Sequence, residues 1–196
     1  MLLKSLKCLL CFILFVAISI FLYQNFKFKT HKFNLQNIPN LEVGDLIFRH
    51  GNTIDSIIIS NKSDFKYSHV GVIIKTEPIL IIHATQKEND DKVSIITLNE
   101  FLNNATDFGI ARVKFINDKN RIFFINDLKN SFGKKFVLSK KGDENLYCTT
   151  LIENSLSKIS KFEPIYQDID FMFIDGKYLF PAGIWYDKNI EILYEN

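Results

Sequence analysis

The chain is short of the residues from which many functional sites are built. In 196 residues it has three cysteines, four histidines, eight glycines, four prolines and one tryptophan. Two of the cysteines, Cys8 and Cys11, fall inside one apolar run near the start, which leaves Cys148 as the lone thiol of everything that follows. A single thiol cannot close an intradomain disulfide, so a disulfide-stapled scaffold is excluded. Beyond that run there is no Cys-x-x-Cys or His-x-x-x-His pair, so the close ligand spacing of a structural zinc site is missing. Charge of one sign is also scarce. Twenty-four Lys and Arg are dispersed among 22 Asp and Glu for a net charge of +2; with no basic face, nucleic acid is not an implied partner. Alanine and glycine give way to Ile, Phe, Lys and Asn, a bias of base composition rather than of function.

What is there is ample apolar material. A hydrophobic content of 47% and an aromatic content of 14% are enough for a core, and the length fits one domain with some left over for tails. The first part of the chain stands apart. Lys4 and Lys7 precede an uncharged apolar run of sixteen residues from Cys8 to Tyr23. As a helix that run is about 24 Å long, slightly short of a hydrocarbon core of about 30 Å, which Leu2, Leu3 and Leu6 and snorkelling lysines can make up. No small-x-small cleavage site and no lipobox follows. The expectation is an uncleaved N-terminal membrane anchor over residues 1–23, a cleaved signal peptide being the alternative. The default topology holds the amino end in the cytoplasm and the domain on the periplasmic, extracytoplasmic side. Residues 24–40, polar with scattered aromatics and Pro39, read as a membrane-proximal linker, and the domain spans 41–196.

Within the domain the apolar period changes along the chain. "VGDLIFRHG" gives a strand from Asp45 to Arg49, and Thr53 is placed to cap a short helix behind it. "YSHVGVIIK" and "PILIIHATQ" are β-branched runs joined by a short polar link, as in a hairpin, and "KVSIITL" and "FGIARVKFI" are further strands. Thr97 with Glu100 three residues on forms a capping box. Later, Ile122, Ile125, Leu128 and Phe132 fall on one helical face that stops at Gly133, a second helix follows Cys148, and an aromatic, extended tail is broken by Pro181. The sum is an α+β fold with a mostly antiparallel sheet and helices late in the chain.

His31 lies in the linker and His50 at a strand end, both without evident partners. His69 and His83 sit inside adjacent apolar strands. With the hairpin midpoint near position 76 each is seven residues away, so the two stand directly opposite one another. One such histidine alone is usually a hydrogen-bonded core residue; two in register, with a lone thiol at a helix start, suit a Cys–His–His set. A helix N-terminus and a neighbouring imidazolium lower the thiol pKa from about 8.5. His69 would take the thiol proton and deliver it to the leaving group, with His83 orienting it. The Cys148 backbone N–H could donate to a developing oxyanion. The same two histidines and cysteine could instead be three zinc ligands with an open position. Asp45, in "GDLIF" at the start of the first strand, is most often a turn or sheet-edge carboxylate, with a substrate-site role as the alternative.

"VGDLIF", "YSHVGVI", "IIHAT", "SFGKKF" and "YCTTLI", in that order, resemble the permuted papain-like hydrolases of the YiiX and YaeF type, relatives of the NlpC/P60 cell-wall peptidases. The unpermuted relatives carry the cysteine helix first; here it follows the sheet, as in the circular permutants. The resemblance runs from about Val43 to Ile184. It implies a circularly permuted papain-like fold with a sheet packed against a cysteine-bearing helix, and a thiol hydrolase (amidase or peptidase) with no cofactor and no metal. By the same likeness Cys148 matches the nucleophile, His69 the base and His83 the polar third member. Tyr147, Thr150 and Asp45 become candidate substrate-binding residues. One departure stands out: Thr150 occupies the place where the family commonly has Glu. That change favours the rival reading, a catalytically silent peptide- or lipid-binding domain. An acyltransferase or lipid amidase is the near variant, and the implied partner is a peptide or acyl-amide of the cell envelope.

Overall fold

A computed structural model of the chain describes residues 38–86, 91–171 and 174–196, together with Leu14, Val16, Phe33 and Leu35. The anchor expected over 1–23 and most of the 24–40 linker lie outside the described residues. Among the described residues no helix is long and apolar enough to cross a membrane.

Six strands make one antiparallel sheet in the order β4-β3-β2-β1-β5-β8. They are β1 (Leu46–Gly51), β2 (His69–Thr76), β3 (Ile79–Thr85), β4 (Lys92–Thr97), β5 (Ala105–Val113) and β8 (Ile190–Glu195). A separate hairpin pairs β6 (Gln167–Phe171) with β7 (Ile174–Tyr178). The helices are α1 (Ile54–Ser63), α2 (Leu98–Leu102), α3 (Asp118–Lys129), α4 (Cys148–Leu156) and α5 (Pro181–Trp185).

Alternation along the strands sends side chains to two faces, and both are covered. Leu46, Phe48, Val70, Val72, Ile82 and Ala84 turn to one face, where Leu128 of α3, Leu151 and Ile152 of α4 and Ile184 of α5 close the larger core. Ile47, Ile73, Ile81, Phe108 and Ile110 turn to the other, against Phe101 and Leu102 of α2. Phe33, Leu35 and Ile38 pack on this second core as well. Burial on both sides is why these strands read as nearly unbroken apolar runs.

Local signals placed most helix starts. The Thr53 hydroxyl accepts from the Ser56 N–H at 3.4 Å. Thr97 and Glu100 close the expected capping box, Thr97 N–H to Glu100 Oε2 at 2.8 Å and Glu100 N–H to Thr97 Oγ1 at 3.3 Å. The buried face of α3 differs from expectation. Phe124, Ile125 and Leu128 are buried, whereas Ile122 is 59% exposed and Phe132 lies beyond the helix, before Gly133 at φ +77°. "RIFFIN" offers two overlapping apolar stripes, and periodicity alone cannot tell which one meets the core. The tail also differs: Pro181 ends the extended run by opening α5 from its first turn, a position where its missing N–H costs nothing.

The β2–β3 register is shifted by two residues from the expected one. Val72 pairs with Ile82 and Ile73 with Ile81, with an irregularity between Ile73 and Lys75. Continuing that register sets Gly71, not His69, opposite His83. An even shift keeps both histidines on the same face, so they meet diagonally instead of head-on.

Candidate active site

The site forms at the end of the sheet where β2 begins and β1 and β3 finish. There His69 Nε2 and His83 Nδ1 lie 2.8 Å apart, and Ser94 Oγ lies 3.3 Å from His83 Nε2. Ser94 stands directly across from His83 in the β3–β4 ladder. The three side chains therefore form one hydrogen-bonded row. Phe101 packs beside both imidazoles, each ring centroid 5.6 Å from its own. Gly71 makes this fit possible: a Cβ there would stand 2.5 Å from Ile81 Cγ2 and 3.1 Å from Phe101 Cε2, displacing the ring that backs the pair.

Cys148 comes from the opposite face, at the first residue of α4. The backbone N–H groups of Val70, Thr149 and Cys148 itself favour its thiolate form. Val70 follows His69 directly at the start of β2. Cys148, His69, His83 and Arg49 line one cavity of about 470 Å³. Burial nevertheless pushes the Cys148 thiol up to about 11, outweighing the N–H groups and the charge of Arg49, which act the other way. This corrects the expectation of a thiol held below its ordinary value. The helix-start N–H groups do favour the thiolate, but desolvation of the sulfur is the larger effect.

Arg49 is a site residue that the sequence reading missed. It pairs directly with His69 across β1 and β2, donates from Nη1 to the Phe101 carbonyl at 2.7 Å, and lies 5.1 Å from the Phe101 ring centroid. Burial lowers its guanidinium from the ordinary value, with the Cys148 sulfur opposing. Alternation already sets Arg49 on the side of Ile47, which was a usable signal: a cation inside a covered strand needs a reason. Ser94 was missed because nothing short of the register identifies it.

Two expected substrate residues lie elsewhere. Asp45 is 1% exposed and fully engaged. It accepts from Arg112 Nε at 2.7 Å, Arg112 Nη2 at 2.9 Å and the Glu42 N–H at 2.7 Å, at the other end of β1. Its charge is spent on an internal ion pair, away from the cavity that holds Cys148. Thr150 is 0% exposed; its hydroxyl accepts from the Tyr147 N–H at 2.9 Å, capping α4. It supports the turn that carries Cys148 and does not line the cavity that holds it. Tyr147 does line the cavity beside Cys148, while its hydroxyl accepts from the Leu179 N–H at 3.0 Å. His50 also gains a partner, its Nδ1 meeting the Lys66 carbonyl at 2.5 Å.

Comparison with known proteins agrees with this architecture. A search of curated proteins finds no match. A solved structure described as the metalloprotein yiiX from Escherichia coli aligns with a TM-score of 0.67 at 13% identity, covering 79% of this chain and 97% of that one. At that identity the likeness shows the fold alone. A metal does not fit the histidines as they stand: a nitrogen of His69 faces a nitrogen of His83 at 2.8 Å, so these donors are turned on each other instead of converging on an ion. Among the described residues no group of three His, Cys, Asp or Glu could hold a metal. The sequence matches the family described as permuted papain-like amidase enzymes of the YaeF/YiiX type over residues 40–193. The chain therefore belongs to the permuted papain-like amidases, a family of cysteine hydrolases.

Proposed function

We propose that the protein is a thiol amidase of the cell envelope, working through an acyl-enzyme on Cys148 with His69 as general base. The reading is supported by the Ser94–His83–His69 row and by Cys148 and both histidines lining one cavity. If His69 takes a proton on Nδ1, its Nε2–H donates to His83 Nδ1, and the His83 Nε2–H donates to Ser94 Oγ. One tautomer of each ring satisfies the whole row and leaves the basic nitrogen turned away from His83.

The sulfur attacks the amide carbonyl while its proton passes to His69. The Cys148 N–H, at the helix start, supports the oxyanion. Collapse breaks the C–N bond, and His69 returns the proton to the departing amine. Water then attacks the thioester, giving its proton to His69 and on to the thiolate, so acid and enzyme are released.

Quenched mass spectrometry after brief incubation with an activated acyl ester tests this. An acyl adduct is expected on the Cys148 peptide and absent in Cys148→Ala. His69→Ala should slow its formation by about a hundredfold or more. Adduct formation that ignores His69, or that appears on another residue, would overturn the reading. The envelope location rests on the apolar run from Cys8 to Tyr23. It predicts that the full chain stays in the membrane pellet after an alkaline wash, and release into the wash would contradict it.

A further inference from the structure

Helix α1 is inverted relative to an ordinary surface helix. Such a helix turns its apolar stripe to the core. In α1 the buried residue is Ser63, whereas Ile54, Ile57 and Ile58 are exposed, Ile54 to 70%. The three fall at i, i+3 and i+4, on one side of the helix. Leu138, also exposed, continues the strip, for it lines a cavity together with Ile58 and Cys148. Isolated exposed aliphatic residues need no explanation; four gathered beside the nucleophile mark an interaction surface.

Basic groups stand next to the strip. Leu138 lies within "KKFVLSKK", residues 134–141, which holds four lysines and no acidic residue. Lys140 reaches Asp175 at 3.9 Å, and Lys141 stands 4.2 Å from the Tyr166 ring centroid. Lys134 and Lys135 are exposed and form no ion pair among the described residues. The carboxylates of this region are turned elsewhere. Asp55 and Glu100 line the larger cavity, and Glu100 accepts from the Thr97 N–H in its cap. Asp143 lies 3.3 Å from the Ser139 hydroxyl.

We infer that this strip rests on the surface of an anionic lipid bilayer, with the isoleucines below the headgroups and the lysines among them. An apolar strip beside unpaired cations is what an interfacial contact requires. The inference rests on the envelope location proposed above and adds which face of the domain meets the membrane. The tether points the same way. Phe33 packs edge-on to Phe108, ring centroids 4.9 Å apart, and Phe108 pairs with Arg49 across β5 and β1. The start of α1 is close by, since the Asn52 N–H donates to the Asn104 carbonyl at 3.1 Å, just ahead of β5. The chain therefore joins the domain at the end of the sheet that carries α1 and the site. Nine residues separate Tyr23 from Phe33, a reach of about 35 Å at full stretch. A domain held that closely by this end presents α1 to the bilayer, and the mouth of the Cys148 cavity comes to lie at the interface.

Tryptophan fluorescence of the full-length protein in vesicles of phosphatidylcholine and phosphatidylglycerol tests the contact. The native Trp185 is 5% exposed, so it supplies a constant background. Ile54→Trp places a reporter on the strip. Ile122→Trp places one on α3, also at an exposed position, beside Arg121, which pairs with Glu42 near the other end of β1. Lipids brominated high on the acyl chain should remove about half of the emission added at position 54, a depth of about 5–10 Å, and leave that at position 122 unchanged. Lys134→Glu with Lys135→Glu should reduce the quenching at least twofold, as should vesicles of phosphatidylcholine alone. Equal quenching at the two positions, or quenching indifferent to both charge changes, would overturn the inference. So would a blue shift at position 54 without quenching, which would mean that a second copy of the chain covers the strip. Each of these results leaves the envelope location standing if the protein stays with the vesicles through an alkaline wash. Release into the wash would sink that location and this inference together.

Discussion

Two polar clusters grow from the two ends of β1, and they are built on opposite plans. At the start, Asp45 is closed in: Arg112 binds it through two nitrogens and also reaches Glu42 at 2.6 Å, which in turn pairs with Arg121 at 2.8 Å. Every charge there answers another charge of the protein. At the far end His69, His83 and Ser94 share hydrogen bonds, and Arg49, His69 and His83 line a cavity that also holds Cys148. The first cluster has spent its electrostatics on the fold; the second keeps some for a ligand. Proximity of a charged residue to a recognised motif is therefore a poor guide to its role, and closure of its hydrogen bonds is a better one.

The largest effect that could break this comparison is at Asp45. Asp45→Ala removes the buried carboxylate and strands Arg112, which is itself partly exposed. The expected loss is about 2–3 kcal/mol, less than for a pair buried on both sides, and it should appear as a lower denaturant midpoint. In Asp45→Asn, which keeps the shape, kcat/KM of the folded protein should stay near that of the parent. A substantial fall in kcat/KM with no change in the midpoint would move Asp45 into the site and erase the distinction between the two ends.

The sequence made one of these ends legible and misread the other. Cys148, His69 and His83 stood out because each residue type was scarce, and scarcity made their coincidence informative. Their relation was blurred by the irregularity between Ile73 and Lys75, which no composition signal marks; the period of two still put both histidines on the correct face. The antiparallel sheet, the caps at Thr53 and Thr97 and the helix at Cys148 followed from local chemistry. The α3 stripe and the α5 turn did not, because only tertiary packing chooses between adjacent apolar faces. Thr150 shows a further limit. Its difference from the family pattern looked like damage to the site, yet it sits at the third helical position, where Glu in a capping box reaches back to the N-cap N–H. Here the Thr150 hydroxyl takes that same N–H, from Tyr147. The departure changes the side chain and keeps the cap, so it no longer favours a silent binding domain.

Arg49 gives the smaller and sharper test, because it belongs to the open cluster without being a proton carrier. Its positive charge favours the Cys148 thiolate, while burial opposes it. With the thiol titrating at about 11, alkylation of Cys148 by iodoacetamide should rise with pH through 8, 9 and 10, about tenfold per unit, and level off above 11. Arg49→Gln removes a charge that lowers the thiol pKa, so the value moves further up and the thiolate fraction falls. Alkylation should then be several-fold slower at each pH below the plateau, with the plateau rate itself little changed. Arg49→Lys, which keeps the charge but loses the planar contact with Phe101, should recover part of the rate. A glutamine variant whose whole curve drops, plateau included, would mean that Arg49 holds the cavity's shape instead of its field. The two ends of β1 would then differ only in exposure.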